Sequence, residues 1–447
     1  MNCLTTFVQF EQVQQIFILI AIGTNHQIGF MKVFKFGGAS INSTERIENV
    51  SKIIRSFKGE KLLIIISAMG KVTNALEKVA EEFFKGNKEG ALALFKELKE
   101  EHHTVAKQLT GETINQFNDI FTEVEWLLHD KPVRDYDYYY DQIVCCGELL
   151  STIIVSHYLN HAGIRNKWID VRDIVRTDDN FRDANIDWAF TQAKVTNEVL
   201  PVFKETDIII TQGFIGSTDE NESTTLGREG SDYTAAIFAN MLDAESQTIW
   251  KDVEGVMNAD PKKFHDAVYI DTLSYNEVIE MAYYGAQVIH PKTIKPLQNK
   301  GIPLHVKCFL NAALKGTVIS NKPVHNLPPI IVVKQNQALL QLSSKDFSFI
   351  GEKGVGKLYE LMAGFKISPN LVQSGAITVS CCLDDKSDKV EKLALAAGEL
   401  FDVQVEKNLT LLTVRHYNDE IVQKLSAARQ QVLSQKTPET IQILMKE

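Results

Sequence analysis

The stretch Thr224-Thr225-Leu226-Gly227-Arg228-Glu229-Gly230-Ser231-Asp232-Tyr233-Thr234-Ala235-Ala236 places glycines, hydroxyls, one cation and one carboxylate ahead of a helix predicted over Ser231–Met241. That is a composition for holding an anion. Gly227 and Gly230 let the backbone come close to a ligand, and free N–H groups at the helix start carry the positive end of its dipole. Arg228 offers a guanidinium fork for a carboxylate or phosphate. The same residues also spell an ordinary hairpin followed by a Ser-capped helix. What decides is whether other anion-handling segments accompany them.

Several do. Lys35-Phe36-Gly37-Gly38-Ala39-Ser40 follows the first apolar run and precedes a helix, where α/β folds bind ligands at the carboxyl edge of the sheet. Gly37 and Gly38 would bring N–H groups to a phosphate, with Lys35 adding charge, although a structural turn reads the same way. Ser67-Ala68-Met69-Gly70-Lys71-Val72-Thr73-Asn74 closes a second run with the same chemistry. Gly147-Glu148 sets one carboxylate among Cys, Leu and Ile in a helix predicted over Gln142–His157, either to bind a ligand or to form a structural salt bridge. Thr211-Gln212-Gly213-Phe214-Ile215-Gly216 ends another run. Beyond it, Lys251, Asp252 and Lys262 are candidate nucleotide contacts among turn-forming Gly, Asp and Pro. His290, before Pro291, reads as a capping or packing histidine rather than a base.

The elements that carry these segments alternate as strand and helix, the pattern of a mainly parallel sheet covered by helices. Strands are predicted at Val33–Phe36, Leu62–Ser67, Lys167–Ile169, Asp207–Thr211, Thr248–Trp250 and Leu304–Val306. Asn42-x-x-Glu45 and Ser274-x-x-Glu277 look like helix starts. The charged segment Lys85–His102 reads as a solvated helix. Pro323, Pro328 and Pro329 mark a linker over 321–335, separating a catalytic region 31–320 from a module over 336–447. That module reads as βαββαβ: strand Ala338–Leu342, helix Gly356–Phe365, strands Leu371–Gln373 and Ile377–Cys382, helix Lys389–Leu400, strand Val403–Glu406. A shortened second unit follows, with a strand at Leu411–Arg415, a helix from Asp419 and a strand at Thr440–Leu444. Gly351–Leu358 fits G-x-x-x-x-G-K but has Leu358 where a P-loop needs Ser or Thr, so it reads as a turn of this module.

A net charge of −10 argues against a nucleic-acid or anionic-membrane partner, since both demand basic surface. The cysteines (Cys3, Cys145, Cys146, Cys308, Cys381 and Cys382) include adjacent pairs but no metal-ligand spacing, and they read as reduced thiols of a cytosolic protein. The apolar run Ile16–Ile22 is too short to span a bilayer and lacks a preceding basic residue. Residues 1–30 are therefore expected to be a non-native or disordered extension, with Met31 as the start.

Taken together, the segments resemble the aspartate kinases of the amino-acid kinase family from Met31 to the C-terminus. K-F-G-G-x-S, the buried G-E, T-Q-G-F-I-G, T-T-L-G-R-x-G-S-D-Y-T-A-A, W-x-D-V-x-G and G-A-x-V-x-H-P occur in family order. The resemblance implies a three-layer αβα sandwich followed by ferredoxin-like ACT modules. It also implies transfer of the γ-phosphoryl of ATP, with Mg2+, to the side-chain carboxylate of L-aspartate. By motif position Lys35 would neutralise the transferring phosphoryl and Asp232 would order Lys35. Glu148 would hold the substrate ammonium and Arg228 its α-carboxylate, with Ser67, Thr73 and Ser231 adding hydrogen bonds. Gly37, Gly38, Ser40, Gly230 and Ser231 would cradle phosphates, and Lys251, Asp252, Met257, Lys262 and Gln287 would contact nucleotide. Ser368, Asn370 and Ser374 would bind an amino-acid effector, lysine or threonine, and the ACT region would join subunits into a homodimer or higher oligomer.

The chain departs from the family pattern at Glu229, where Gly or Asn is common, at Met257 (Tyr in some relatives) and at Gln287 (Lys in some). Gly375 and Ala376 replace polar residues near the effector positions. A kinase of glutamate, acetylglutamate or UMP is the nearest alternative, and the Arg228/Glu148 pair favours a free amino acid over these. A catalytically dead amino-acid sensor would not need Lys35, Arg228 and Asp232. A fused homoserine dehydrogenase is not expected, since no G-x-G-x-x-G domain follows the tail.

Overall fold

The computed structural model describes residues 31–386 and 388–446; the expectations for residues 1–30 and for Cys3 lie outside them. An eight-stranded sheet organises the first part. From edge to edge its strands are Thr272–Ser274, Thr317–Ser320, Leu304–Cys308, Ser246–Lys251, Met31–Phe36, Lys61–Ile66, Ile208–Gln212 and Lys167–Trp168. All neighbours are parallel except Leu304–Cys308 against Thr317–Ser320. The central strand explains this arrangement: Leu62, Leu63, Ile64, Ile65 and Ile66 are all fully buried, as a parallel strand covered on both faces requires. Register then lines up the strand ends that matter. Phe36 lies opposite Ile66 and Trp250, and Ile66 opposite Gln212. Three loops that the sequence singles out therefore leave one edge of the sheet side by side, after Phe36, Ile66 and Gln212.

Helices start where capping chemistry allows. Ser274 Oγ accepts the Glu277 N–H at 3.1 Å and opens Tyr275–Tyr283. The cap expected at Asn42 falls one residue later, at Ser43, which opens Thr44–Ser56. The Tyr136–His161 helix is longer than its expected core. It is long and apolar enough to cross a membrane, yet 83% of its most apolar window is buried inside the protein, so it is a core helix here. The charged segment is not the solvated helix its composition suggests. It forms Lys88–Thr110 and buries Ala91, Phe95, Leu98, His102, Ala106 and Leu109 along one stripe. Burial holds the His102 imidazole down to about 4, so it packs as a neutral ring whose Nδ1 lies 2.7 Å from the Leu98 carbonyl.

The second part is one six-stranded antiparallel sheet, ordered Pro369–Ser374, Thr378–Asp384, Ile330–Ser344, Phe401–Arg415, Thr440–Lys446 and Gln431–Lys436. Three expectations change. The Ile330–Ser344 strand begins inside the segment 321–335 read as linker. The strands expected at Val403–Glu406 and Leu411–Arg415 are one continuous strand, kinked at left-handed Asn408 (φ +59°), where the ladder shifts register opposite Gln337. The Gln431–Lys436 strand was not anticipated. Both half-modules thus share two long central strands.

This sheet is fastened to the catalytic part. Ala259, Phe264 and Ala267 pack with Ile331, Leu412, Val414, Ile443 and Met445. Arg415, buried, forks onto Glu277 at 2.7 and 2.9 Å and reaches Glu280 and Thr440. Burial pushes the Glu277 carboxyl up, but its bonds to Arg415 and His416 outweigh that and hold it below the ordinary value of 4.5. The linkage adds stability above the unfolded value and loses it as pH falls through the lower folded value. Removing one partner strands the other charge. We expect Arg415→Leu to cost roughly 3–5 kcal/mol in urea unfolding, and the double change with Glu277→Leu to recover much of it.

Candidate active site

At the carboxyl edge of the parallel sheet lies a cleft of about 410 Å³ lined by residues from six separate segments. Of the residues expected from sequence it gathers Lys35, Ser67, Thr73, Glu148, Arg228, Gly230, Ser231 and Asp232. Lys35 is the penultimate residue of the first strand, Met31–Phe36. Its Nζ sits 2.6 Å from Asp232 Oδ1, and both side chains are largely buried. Asp232 itself comes from the first turn of the Gly230–Met241 helix, so the lysine is held beside a helix N-terminus where an anion gains from the dipole. The helix starts differently from the expected Ser cap: Glu229 precedes it in a left-handed conformation (φ +54°) and makes no side-chain cap. The Glu229 carboxylate instead accepts the His290 N–H at 2.9 Å. His290 Nδ1 in turn accepts the Lys292 N–H at 3.2 Å and caps Pro291–Lys300.

Among the carboxyls lining the cleft, Glu148 bears a clear desolvation penalty. Gly147 lets its helix press against Ala68 and Val72, since a Cβ there would lie 3.1 and 3.0 Å from them. That close approach carries Glu148 to the Ala68 N–H, which donates to Oε1 at 3.2 Å, while buried Oε2 has no hydrogen-bond partner. Burial pushes this carboxyl up to about 8, with the Ala68 N–H opposing weakly. A half-satisfied buried carboxyl facing a polar cleft holds its proton when alone and is built to ionise when a cation docks beside it. Because the folded value lies above the ordinary 4.5, the folded state holds a proton that the unfolded chain loses. Stability should therefore fall as pH rises from about 4.5 through about 8. Glu148→Gln should flatten that fall in thermal melts between pH 5.5 and 8.5.

The loops meet tightly. A Cβ on Gly38 would come within 2.6 Å of the Ala68 carbonyl, and the Gly70 N–H donates to the Gly38 carbonyl at 3.1 Å. Gly38 thus serves the contact between the two loops. Ser40 is buried, with its hydroxyl 3.4 Å from the Trp250 carbonyl, and does not line the cleft. Gly37, Lys251, Asp252, Met257, Lys262 and Gln287 also lie outside it. Lys251 Nζ donates to the Val288 carbonyl at 2.8 Å. Asp252, Lys262 and Gln287 are exposed, and Met257 is half-buried in a ribbon with Tyr269.

Sequence reading missed Tyr140 and Arg182, which line the cleft together with Phe214, Thr225, Gly227 and Glu229 from segments already singled out. Asp141 was missed as well. Fully buried, it accepts the Arg182 and Thr225 N–H groups at 3.0 and 2.8 Å and the Thr225 hydroxyl at 2.8 Å. Burial raises its carboxyl to about 6 against those bonds. In the antiparallel sheet, Ser368, Asn370 and Ser374 do not line the module's own cavity, which is formed by residues such as Ser344, Asp346, Ser348 and Phe401. Asn370 is committed to Lys334, Gln337 and Asp384. Gly351 precedes the helix Glu352–Gly364 in that module, away from the cleft.

Comparison with known proteins identifies the family. Residues 31–308 match the amino acid kinase family model. The chain is 31% identical to the lysine-sensitive aspartokinase 3 of Escherichia coli over 395 residues, covering 86% of each chain. It spans about a third of the bifunctional aspartokinase/homoserine dehydrogenase 2 of Arabidopsis thaliana. A crystal structure of E. coli aspartokinase III with aspartate and ADP superposes with a TM-score of 0.77 at 27% identity, covering 93% of this chain and 96% of that one. The same enzyme with lysine and aspartate gives a TM-score of 0.75 at 26% identity, covering 93% and 95%. This chain belongs to the amino acid kinase family, and within it to the aspartokinases.

Proposed function

We propose that the cleft transfers the γ-phosphoryl group of ATP to the side-chain carboxylate of L-aspartate, giving 4-phospho-L-aspartate and ADP. One observation carries the reading: a cleft that offers Arg228 to a carboxylate also holds the half-satisfied Glu148, suited to an ammonium, beside the Lys35–Asp232 pair. A free amino acid with an acidic side chain presents those three charges. In this reading Glu148 binds the ammonium, Arg228 the α-carboxylate, and Ser67, Thr73 and Ser231 add hydrogen bonds. The side-chain carboxylate is itself the nucleophile, so no general base is needed. An oxygen lone pair attacks the γ-phosphorus, the bond to the bridging oxygen breaks, and ADP leaves with that electron pair. Lys35, held by Asp232, neutralises charge that develops on the transferring group. Alignment and charge neutralisation are the whole task.

Among the described residues no group of three His, Cys, Asp or Glu is arranged to hold a metal. Mg2+ would come with the nucleotide and would neutralise phosphate charge. Gly37, Gly38, Ser40, Lys251, Asp252, Met257, Lys262 and Gln287 are assigned to the nucleotide side. Of these, Gly38 and Ser40 act by holding loops together rather than by facing the cleft. The antiparallel module is assigned feedback by an amino acid, lysine before threonine, since one matching structure contains lysine. Ser368, Asn370 and Ser374 are its effector positions and the module its oligomer contact, in a cytosolic enzyme.

Aspartate, ATP and Mg2+ with hydroxylamine should yield aspartyl hydroxamate, and the product should be far scarcer with glutamate. No hydroxamate from aspartate, but product from another acid, would reject the assignment.

A further inference from the structure

Arg182 sits in a turn that its residue type disfavours. Its φ is +68°, left-handed, where a side chain is strained and glycine is at ease. The strain is held in place from beneath: fully buried Asp141 accepts the Arg182 N–H at 3.0 Å and, with the same carboxylate, fixes Thr225 of the cleft wall. On its far side the turn abuts the Gly227–Arg228 segment. A Cβ on Gly227 would lie 2.6 Å from Asp183 Oδ1 and 3.2 Å from the Arg182 carbonyl. Asp183 is also bonded to Lys292. The backbone is therefore held from two sides, by Asp141 and by the Gly227–Arg228 segment, and Arg182 lines the cleft.

That guanidinium stacks over the Tyr140 ring, 4.3 Å from the centroid, and both residues line the cleft. Its side chain is 40% exposed, which places it at the mouth rather than the floor. Its ion partners lie on the outer side: Asp137 at 3.1 Å and Glu77 at 3.7 Å, both substantially exposed. Such surface pairs are weak and exchangeable. A cation lightly held by two solvated carboxylates, at the entrance of a cleft read as taking a dicarboxylate, can trade them for an incoming carboxylate.

We propose that Arg182 is a second substrate-facing guanidinium that captures the acidic amino acid at the cleft mouth and hands it to Arg228, with Asp137 and Glu77 as its resting partners. The inference rests on the aspartate reading given above. It assigns Arg182 to substrate capture, separate from the phosphoryl-transfer group of Lys35 and Asp232. Capture acts on kcat/KM for the amino acid and leaves the chemical step alone.

The test uses the full-length enzyme. Arg182→Gly removes the charge at a backbone position where glycine relieves strain, so the melting temperature should not fall. We expect kcat/KM for aspartate to drop about tenfold, the order of one charge-assisted bond, with kcat and the KM for ATP within about twofold of wild type by the capture argument. Arg182→Lys should recover most of the loss. Asp137→Asn, which releases Arg182, should raise kcat/KM for aspartate, and added salt should narrow the gap between wild type and Arg182→Gly. An unchanged kcat/KM in Arg182→Gly would overturn the proposal, as would a loss accompanied by an equal fall in kcat and in melting temperature, which marks a structural role. If wild type itself makes no acyl phosphate from aspartate, the aspartate reading fails and this inference with it. If wild type is active and only the Arg182 variants match it, this inference alone fails.

Discussion

Lys35→Ala is expected to lower kcat by about 10²–10³, the loss seen when one preorganised group that stabilises transition-state charge is removed. The reason is local. Lys35 Nζ is held 2.6 Å from Asp232 Oδ1 in a largely buried pair, so its charge is already oriented before substrate arrives. The variant would also leave the Asp232 carboxylate buried without its cation, at the start of a helix that partly offsets it. Binding of aspartate should change far less than turnover, because Glu148 and Arg228 stay in place. Steady-state kinetics with both substrates varied measures the split. Turnover close to wild type would remove Lys35 from the transfer step and leave it a structural partner of Asp232.

Arg228→Ala should raise the KM for aspartate roughly 10²-fold, as loss of a charge-assisted, two-pronged hydrogen bond implies, with a smaller effect on kcat. Arg228→Lys should recover only part, since an ammonium cannot reproduce the planar fork. The position of Arg228 supports a binding role. It stands in the turn between Gly227 (φ +75°) and left-handed Glu229, whose carboxylate is tied to the His290 N–H, so the guanidinium is carried on a backbone fixed from both sides. A change confined to the KM for ATP would move Arg228 to the nucleotide side and undo the proposed division of the cleft.

Much of this site was legible because each part announces itself locally. The run Lys61–Ile66 is apolar and ends in Ser-Ala-Met-Gly, and the helix opening at Gly230 follows a glycine-rich turn. Glycines, hydroxyls and the lone Glu148 in an apolar helix are visible without a fold. Arg182 and Asp141 were not, for a different physical reason. Their importance lies in a hydrogen bond between segments 41 residues apart and in a left-handed φ that no arginine advertises.

The same distinction explains the fold. The Lys88–Thr110 helix carries so many charges that its composition suggested solvent, yet Ala91, Phe95, Leu98 and His102 recur at helical spacing and are buried. Spacing outweighed composition. In the antiparallel module the polar strand Gln431–Lys436 takes its structure from pairing with Thr440–Lys446 rather than from its own residues. Lys407-Asn408 looked like a break between strands, and Asn408 does turn left-handed, but the strand continues through it because both sides pair with Ile330–Ser344. Tertiary pairing decided what local propensity could not.

The most direct test of the account is a crystal structure of the enzyme with L-aspartate and a non-transferable ATP analogue. The account predicts the amino group within hydrogen-bond distance of Glu148 Oε2, the α-carboxylate on Arg228, and the side-chain carboxylate between Lys35 and the γ-phosphate. Aspartate bound the other way round, with its α-carboxylate toward Lys35 and its ammonium away from Glu148, would contradict it.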